Sequence, residues 1–366
     1  MLILATAFWG LSFPAVKALA LVLAGMQPGS GNWFVTAATV GPRFVLGALV
    51  LLVVEFFLAR RHARANTLVG RAKPLAEPLV IMPASTIAAQ PEASPYLKNL
   101  RAYARTTSGE WKQGIGIGIF AAGGMILQND GLQFTEASTS AFLTQLTAIL
   151  IPVFAALRAR KNPGWRVWVC CVLVLAGVAI LGHFDWRALR LGRGEIETLL
   201  ATFFFAGQIL VLDSAAFAGN RFMRITLIMF ATEAVIYVIM ALFTAPALPA
   251  LFTPWASGGF IVLTLLLTVF CTLGAFLLMN AWQPKITATE AGVIYCMEPI
   301  FGSLLALVLP GMFSLAFAIG YANETITWTL LVGGALITGA NILLQLKPPA
   351  RPKAAEGRQN GEAVAA

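Results

Sequence analysis

Apolar residues occupy this chain in long runs, and polar and charged residues collect between the runs. Read by length, the pattern predicts helical spans at 2–23, 33–58, 113–134, 136–157, 164–182, 195–213, 223–243, 258–281, 288–309 and 327–346. Each is near the ~20 residues a helix needs to cross a hydrocarbon core of about 30 Å. Only one long polar segment interrupts the series, 59–112. It holds nine Lys/Arg against three Asp/Glu and five prolines, too little apolar material to build a core. A flexible or partly helical basic insertion is expected there, and a disordered tail over 347–366.

Composition agrees with the pattern. Hydrophobic residues make up 58% of the 366 residues and charged residues 11%, against about 25% charged in globular domains. So few charges cannot cover a soluble surface, and the expected fold class is an all-α integral membrane protein. The net charge of +9 does not signal nucleic acid, because the basic residues lie between the apolar runs. Twenty Lys/Arg fall on one side if residue 1 is cytoplasmic, and the outer loops keep three, in 183–195. That asymmetry puts both termini in the cytoplasm. The first run has no basic residue before it and contains Trp9, Pro14 and Lys17, so a cleaved signal peptide is not expected. The four cysteines, Cys170, Cys171, Cys271 and Cys296, lie inside apolar runs without metal-type spacing and read as packing residues. The two histidines, His62 and His183, lie outside the runs. No metal site, cofactor or catalytic constellation is therefore expected, and the chain does not read as an enzyme.

Sliding the chain against itself reveals a repeat. TEASTSAFLTQLTAILIPVFAAL at 135–157 overlays ITATEAGVIYCMEPIFGSLLALV at 286–308, and ATAFW at 5–9 overlays ATFFF at 201–205. Two copies of five spans would be inverted, because an odd number of spans flips the second copy. The expected organisation is ten transmembrane helices in two inverted five-helix repeats, 1–182 and 195–346. In transporters built this way the solute site lies at the repeat interface near the midplane.

Several stretches resemble the drug/metabolite transporter superfamily, and within it the permeases with two EamA domains. They are WGLSFPAVK at 9–17, PRFVLGALVLL at 42–52, QNDGLQFTEASTSAFL at 128–143, IPVFAAL at 151–157, TEAGVIYCMEPIFGSLLA at 289–306 and GGALITGANILL at 333–344. The departures are the 59–112 insertion and a long loop at 310–325. The resemblance implies a permease in the inner (plasma) membrane, with export of a metabolite, amino acid or drug-like solute as the expected direction. It also implies that a Glu-Pro pair recurs in the second half of such proteins, which favours a shared role for Glu298 over recognition of one solute.

Glu298 is the most telling intramembrane group, since a charge there costs roughly 2.5–3.5 kcal/mol on insertion scales. Helical spacing places it on one face with Ala291, Tyr295, Gly302 and Leu305, and Pro299 loosens the helix beside it. The repeat sets Ser140, Thr144 and Thr147 at the matching positions of the first half. The two stripes would line a central cavity; alternatively the hydroxyls only bond back to helix carbonyls. Glu233, central in its span, is a second candidate for coupling. Gln145 and Asn129 could hydrogen-bond a solute or hold helices together. Lys17 and Arg43, near outer helix ends, could serve an outer gate or snorkel, and Trp9 could wall the cavity. Gly114, Gly116 and Gly118 open an apolar span with no strand before them, so close helix packing is expected and not phosphate binding. No Walker motif is present. The expected function is secondary transport by alternating access, its partners being a small solute, membrane lipid and, as a coupling ion, protons. No nucleic acid is expected, and the chain would act as a monomer or homodimer. An uncoupled facilitator or exchanger, a membrane sensor or scaffold, and an intramembrane lipid enzyme are the alternatives.

Overall fold

The computed structural model describes residues 1–71, 105–158, 160, 165–181, 191–285, 294–295 and 297–345. Its helices are α1 (Leu2–Met26), α2 (Asn32–Arg71), α3 (Ser108–Gly131), α4 (Ala137–Thr144), α5 (Leu146–Arg158), α6 (Trp165–Leu181), α7 (Arg193–Leu212) and α8 (Phe222–Thr244). They are followed by α9 (Gly258–Lys285), α10 (Glu298–Ala306), α11 (Leu309–Phe317) and α12 (Trp328–Gln345). Among the described residues five helices, α1, α2, α7, α8 and α9, are long and apolar enough to cross a membrane, and a sixth if the bent pair α10–α11 counts as one. Outward-facing Leu49, Leu52, Val53, Phe56 and Phe57 of α2 are exposed. In water such a patch would drive association, whereas lipid accommodates it.

Local sequence explains the helix ends. The α1–α2 turn places Pro28 ahead of Gly29, whose φ of +85° suits the third position of a type II turn, and Ser30 N–H donates to Gln27 O at 3.3 Å. A capping box starts α3: Glu110 N–H donates to Thr107 Oγ1 at 3.1 Å and Thr107 N–H to Glu110 Oε2 at 2.8 Å. Arg221, at the start of α8, donates Nε to Glu110 Oε1 at 2.7 Å.

Tertiary contacts tie α1 to α9 and α10, α2 to α8, α3 to α7 and α8, α4 to α7 and α10, and α6 to α12. Small residues permit the closest approaches. A Cβ on Gly114 would lie 2.6 Å from Ile228 Cβ, and one on Gly118 would lie 2.7 Å from Thr232 Cβ, so these glycines pack α3 onto α8.

The structure corrects two details of the sequence expectation and adds two more. The run 136–157 is not one helix but breaks at Gln145 between α4 and α5. The expected 310–325 loop contains α11, which bends from α10 by 49°; Pro310 sits in the first turn of α11, where its missing N–H is harmless. α9 becomes π-helical over Leu267–Gly274. Helix α2 runs on to Arg71, into the expected insertion. Expectations for 72–104, for 182–190 with His183, for 286–293 with Ala291, for Cys296 and for the tail lie outside the described residues.

Glu110 supplies a pH prediction. Burial would raise its carboxyl, but the Arg221 side-chain hydrogen bond and the backbone bonds from Thr107 and Arg221 outweigh it and hold the group at about 2. The ionised form is therefore favoured by folding. Its contribution is complete above the unfolded value of about 4.3 and is lost as pH falls toward 2. Glu110→Gln should lower the melting temperature of detergent-purified protein at pH 7, by an amount that shrinks steadily as the melts are repeated from pH 5 down to pH 3.

Candidate polar site between the helix breaks

Two helix breaks fall one position apart when 135–157 is laid over 286–308. In the first half α4 ends at Thr144, and Gln145 makes a 3.1 Å backbone bond to Phe142 O before α5 begins. In the second half Met297 N–H donates to Ile294 O at 3.1 Å, and α10 then starts at Glu298 with Pro299 in its first turn. Glu298 is thus at a helix N-terminus, where the backbone dipole favours a carboxylate. It is half-buried. Among the described residues it forms no ion pair.

The neighbours of Glu298 are held closely. A Cβ on Gly10 of α1 would come within 2.7 Å of Gly302 N and Phe301 Cβ and 3.1 Å of Glu298 O, and one on Gly302 would lie 3.1 Å from Ala141 Cβ of α4. α1 and α10 therefore meet backbone to backbone, with the Ala141 side chain of α4 packed against them. Trp9, one residue before Gly10, packs edge-on against Tyr295 at 5.8 Å and Phe276 at 5.7 Å. Tyr295 donates its hydroxyl to Gln283 Oε1 at 2.7 Å, and Gln283 Nε2 donates to Asp213 Oδ1 at 3.3 Å. Gln283 and Asp213 were not among the residues expected here, though both are polar groups closing apolar runs.

The hydroxyl stripe of α4 is largely engaged within the protein. Thr144 Oγ1 donates to Ser140 O at 2.8 Å and accepts from Gln128 Nε2 at 2.8 Å. Ser140 Oγ lies 3.3 Å from Thr198 Oγ1 of α7, and Thr147 Oγ1 reaches Thr202 O at 3.5 Å. The last two contacts tie α4 and α5 to α7. Asn129 bonds back to Met125 O of its own helix at 2.7 Å, and the backbone carbonyl of Gln145 accepts from Asn341 Nδ2 of α12 at 3.5 Å. The Asn129 bond is thus local to α3, and the Gln145 carbonyl ties the break to α12.

The residues expected near one end of the bundle separate. Lys17 donates Nζ to Thr135 O, and Thr135 Oγ1 donates to Glu195 Oε1 at 2.6 Å. Arg193 pairs with Asp130 and with Glu197, and Glu324 accepts from Ala137 N–H at 2.8 Å. Lys17 therefore belongs to a polar girdle spanning α1, α3, α4 and α7. Arg43 does not snorkel and is not at a helix end. It lies ~16 Å along α2 from Asn32 at 1.5 Å per residue and is 1% exposed. Its Nη2 contacts Met125 Sδ at 3.6 Å and its guanidinium lies 5.3 Å from the Phe44 ring centre. Glu233 of α8 is fully buried.

An apolar cleft of about 310 Å³ opens beside this site between α4, α10 and α12, lined by Phe142, Ile300, Ser303, Leu304 and Leu330 among others. Among the described residues no three His, Cys, Asp or Glu are grouped to hold a metal ion.

Residues 93–182 match the EamA-like transporter family. An uncharacterized transporter of Archaeoglobus fulgidus is 25% identical over 239 residues, 65% of this chain and 70% of its own length. A crystal structure of another protein aligns with 93% of this chain and 96% of its own at a TM-score of 0.50 and 15% identity, a likeness of fold alone. With the apolar helices, these matches define a multi-pass membrane transporter. They support an EamA-type permease of the drug/metabolite transporter superfamily.

Proposed function

We propose that the protein is a secondary transporter that exports a small organic solute across the inner membrane by alternating access, with Glu298 as the proton-exchanging group. The observation that carries this proposal is the pair of mid-run helix breaks. With 135–157 laid over 286–308, Gln145 falls on position 296, next to Met297. Discontinuous helices meeting near the midplane are how inverted-repeat transporters expose backbone groups and helix ends to a solute. The packing partners support the inverted repeat. If α1 corresponds to α7, α3 to α9 and α4 to α10, the α1–α9 contact mirrors α7–α3 and the α1–α10 contact mirrors α7–α4. The contacts α2–α8 and α6–α12 then map onto themselves.

The experiment is a flux screen in proteoliposomes, offering amino acids, organic acids and cationic drugs with and without a pH gradient. Flux of one class that rises with the gradient supports coupled transport. Flux indifferent to the gradient makes the protein a facilitator, and no flux of any class removes the proposal. Topology gives a separate check. Reporter fusions after residues 160 and 350 should read cytoplasmic, and fusions near 30 and 250 should read the opposite side.

A further inference from the structure

Away from Glu298, α2 and α8 bring together two charges that neither helix can keep alone. Arg43 is 1% exposed and Glu233 0% exposed. Arg43 Nε and Nη1 and both carboxylate oxygens of Glu233 have no hydrogen-bond partner among the described residues. The two side chains are electrostatic neighbours, with Tyr237 and Cys271 as the other titratable groups facing them. Around them stand Phe44, Phe230 and Phe276, with Phe44 stacked on Tyr237 at 5.9 Å. Their depths agree as well. Counted from Asn32 and from Phe222, each lies ~16 Å into its helix, about half the thickness of the hydrocarbon core. If α2 and α8 are counterparts in the two halves, Arg43 and Glu233 occupy the same place in each copy with opposite sign.

We propose that Arg43 and Glu233 form one charge-compensated unit that joins the two halves at the midplane. A guanidinium cannot shed its proton in a protein, so Arg43 needs a counter-charge wherever it is buried. Glu233 is the carboxylate facing it. Neither residue is then a free coupling group or a gate, and removing either one strands the other's charge in an apolar setting, which costs far more than removing both. This goes beyond the transport proposal, and it stands whether or not Glu298 exchanges protons.

The test combines a double-mutant cycle with chemical rescue, read as thermal melting of detergent-purified full-length protein and as yield of monodisperse protein. Arg43→Gln and Glu233→Gln should each cut the yield about tenfold or more, while Arg43→Gln/Glu233→Gln and the exchanged R43E/E233R should recover most of it. Glu233→Ala leaves room beside the guanidinium for a small carboxylate. Formate should raise the melting temperature of Glu233→Ala, and it should have no such effect on the wild type or on Arg43→Gln/Glu233→Ala. Double variants no better than the worse single variant overturn the proposal. So does a formate effect that persists without Arg43.

Discussion

Glu298→Gln should reach the membrane at wild-type levels and lose pH-gradient-driven flux by roughly tenfold or more, as expected for an intramembrane ionisable group on the ion path. Glutamine keeps the volume of the side chain and its hydrogen-bonding capacity and removes only the titration. The carboxylate stands at the first turn of α10 with no ion-pair partner among the described residues, so the change should cost little in folding. Solute exchange without a gradient should survive, which separates loss of coupling from loss of binding. Thr147→Ala, at the matching position of the other repeat, removes only a 3.5 Å contact to Thr202 O and should change apparent affinity more than coupling. A Glu298→Gln protein whose flux keeps its full pH dependence would leave the carboxylate a structural role only.

Gly10→Val should be the most damaging single change in α1. The added Cβ would sit 2.7 Å from Gly302 N and from Phe301 Cβ. One of these is backbone, so no rotamer change relieves the clash and α1 must move away from α10. Overpacking of this kind costs about 1–3 kcal/mol. It also displaces the turn that carries Glu298. Gly339 of α12 is the control, since a Cβ there meets nothing within 4 Å; Gly339→Ala should be neutral or slightly stabilising, as helix propensity favours alanine by about 0.5–1 kcal/mol. Melting curves of the two variants in the same detergent decide the matter. Equal melting temperatures would mean that α1 and α10 are not in close contact.

The apolar helices α1, α2, α7, α8 and α9 were legible because burial in lipid imposes length and apolarity on a helix, and both are properties of the linear sequence. The breaks were harder to see. Nothing between Ala137 and Thr147 forbids a helix, and the break at Gln145 is stabilised by Asn341, 196 residues away. The 310–325 stretch read as a loop, yet Pro310 sits in the first turn of α11, where its missing donor is harmless. Tyr295 and Glu298 stood out as polar groups in an apolar run, and the structure keeps them near each other across a turn. Arg43 was misplaced for a different reason. Counting charges between runs assigns an arginine to the nearer end, whereas its depth depends on where α2 starts and its surroundings on which helix packs against it. The pairing of Gln283 with Tyr295 and Asp213 likewise exists only once α7 and α9 are brought together.

The buried arginine of α2 also has a consequence in time. Ribosomes add about 5–20 residues per second, and Glu233 follows Arg43 by some 190 residues. For roughly 10–40 s the nascent chain contains α2 and not the carboxylate that will face it. Throughout that interval the insertion machinery handles a guanidinium whose cost at a helix centre is about 2.5–3.5 kcal/mol. The stretch FVLGALVLLVV directly after Arg43 outweighs that cost, since each Leu, Val or Phe returns about 0.3–0.6 kcal/mol on the same scale. Its hydrophobicity therefore serves biogenesis before it serves the folded protein. Polar substitutions on the lipid-facing side of α2, which break no contact within the finished bundle, are expected to appear as failures of membrane insertion.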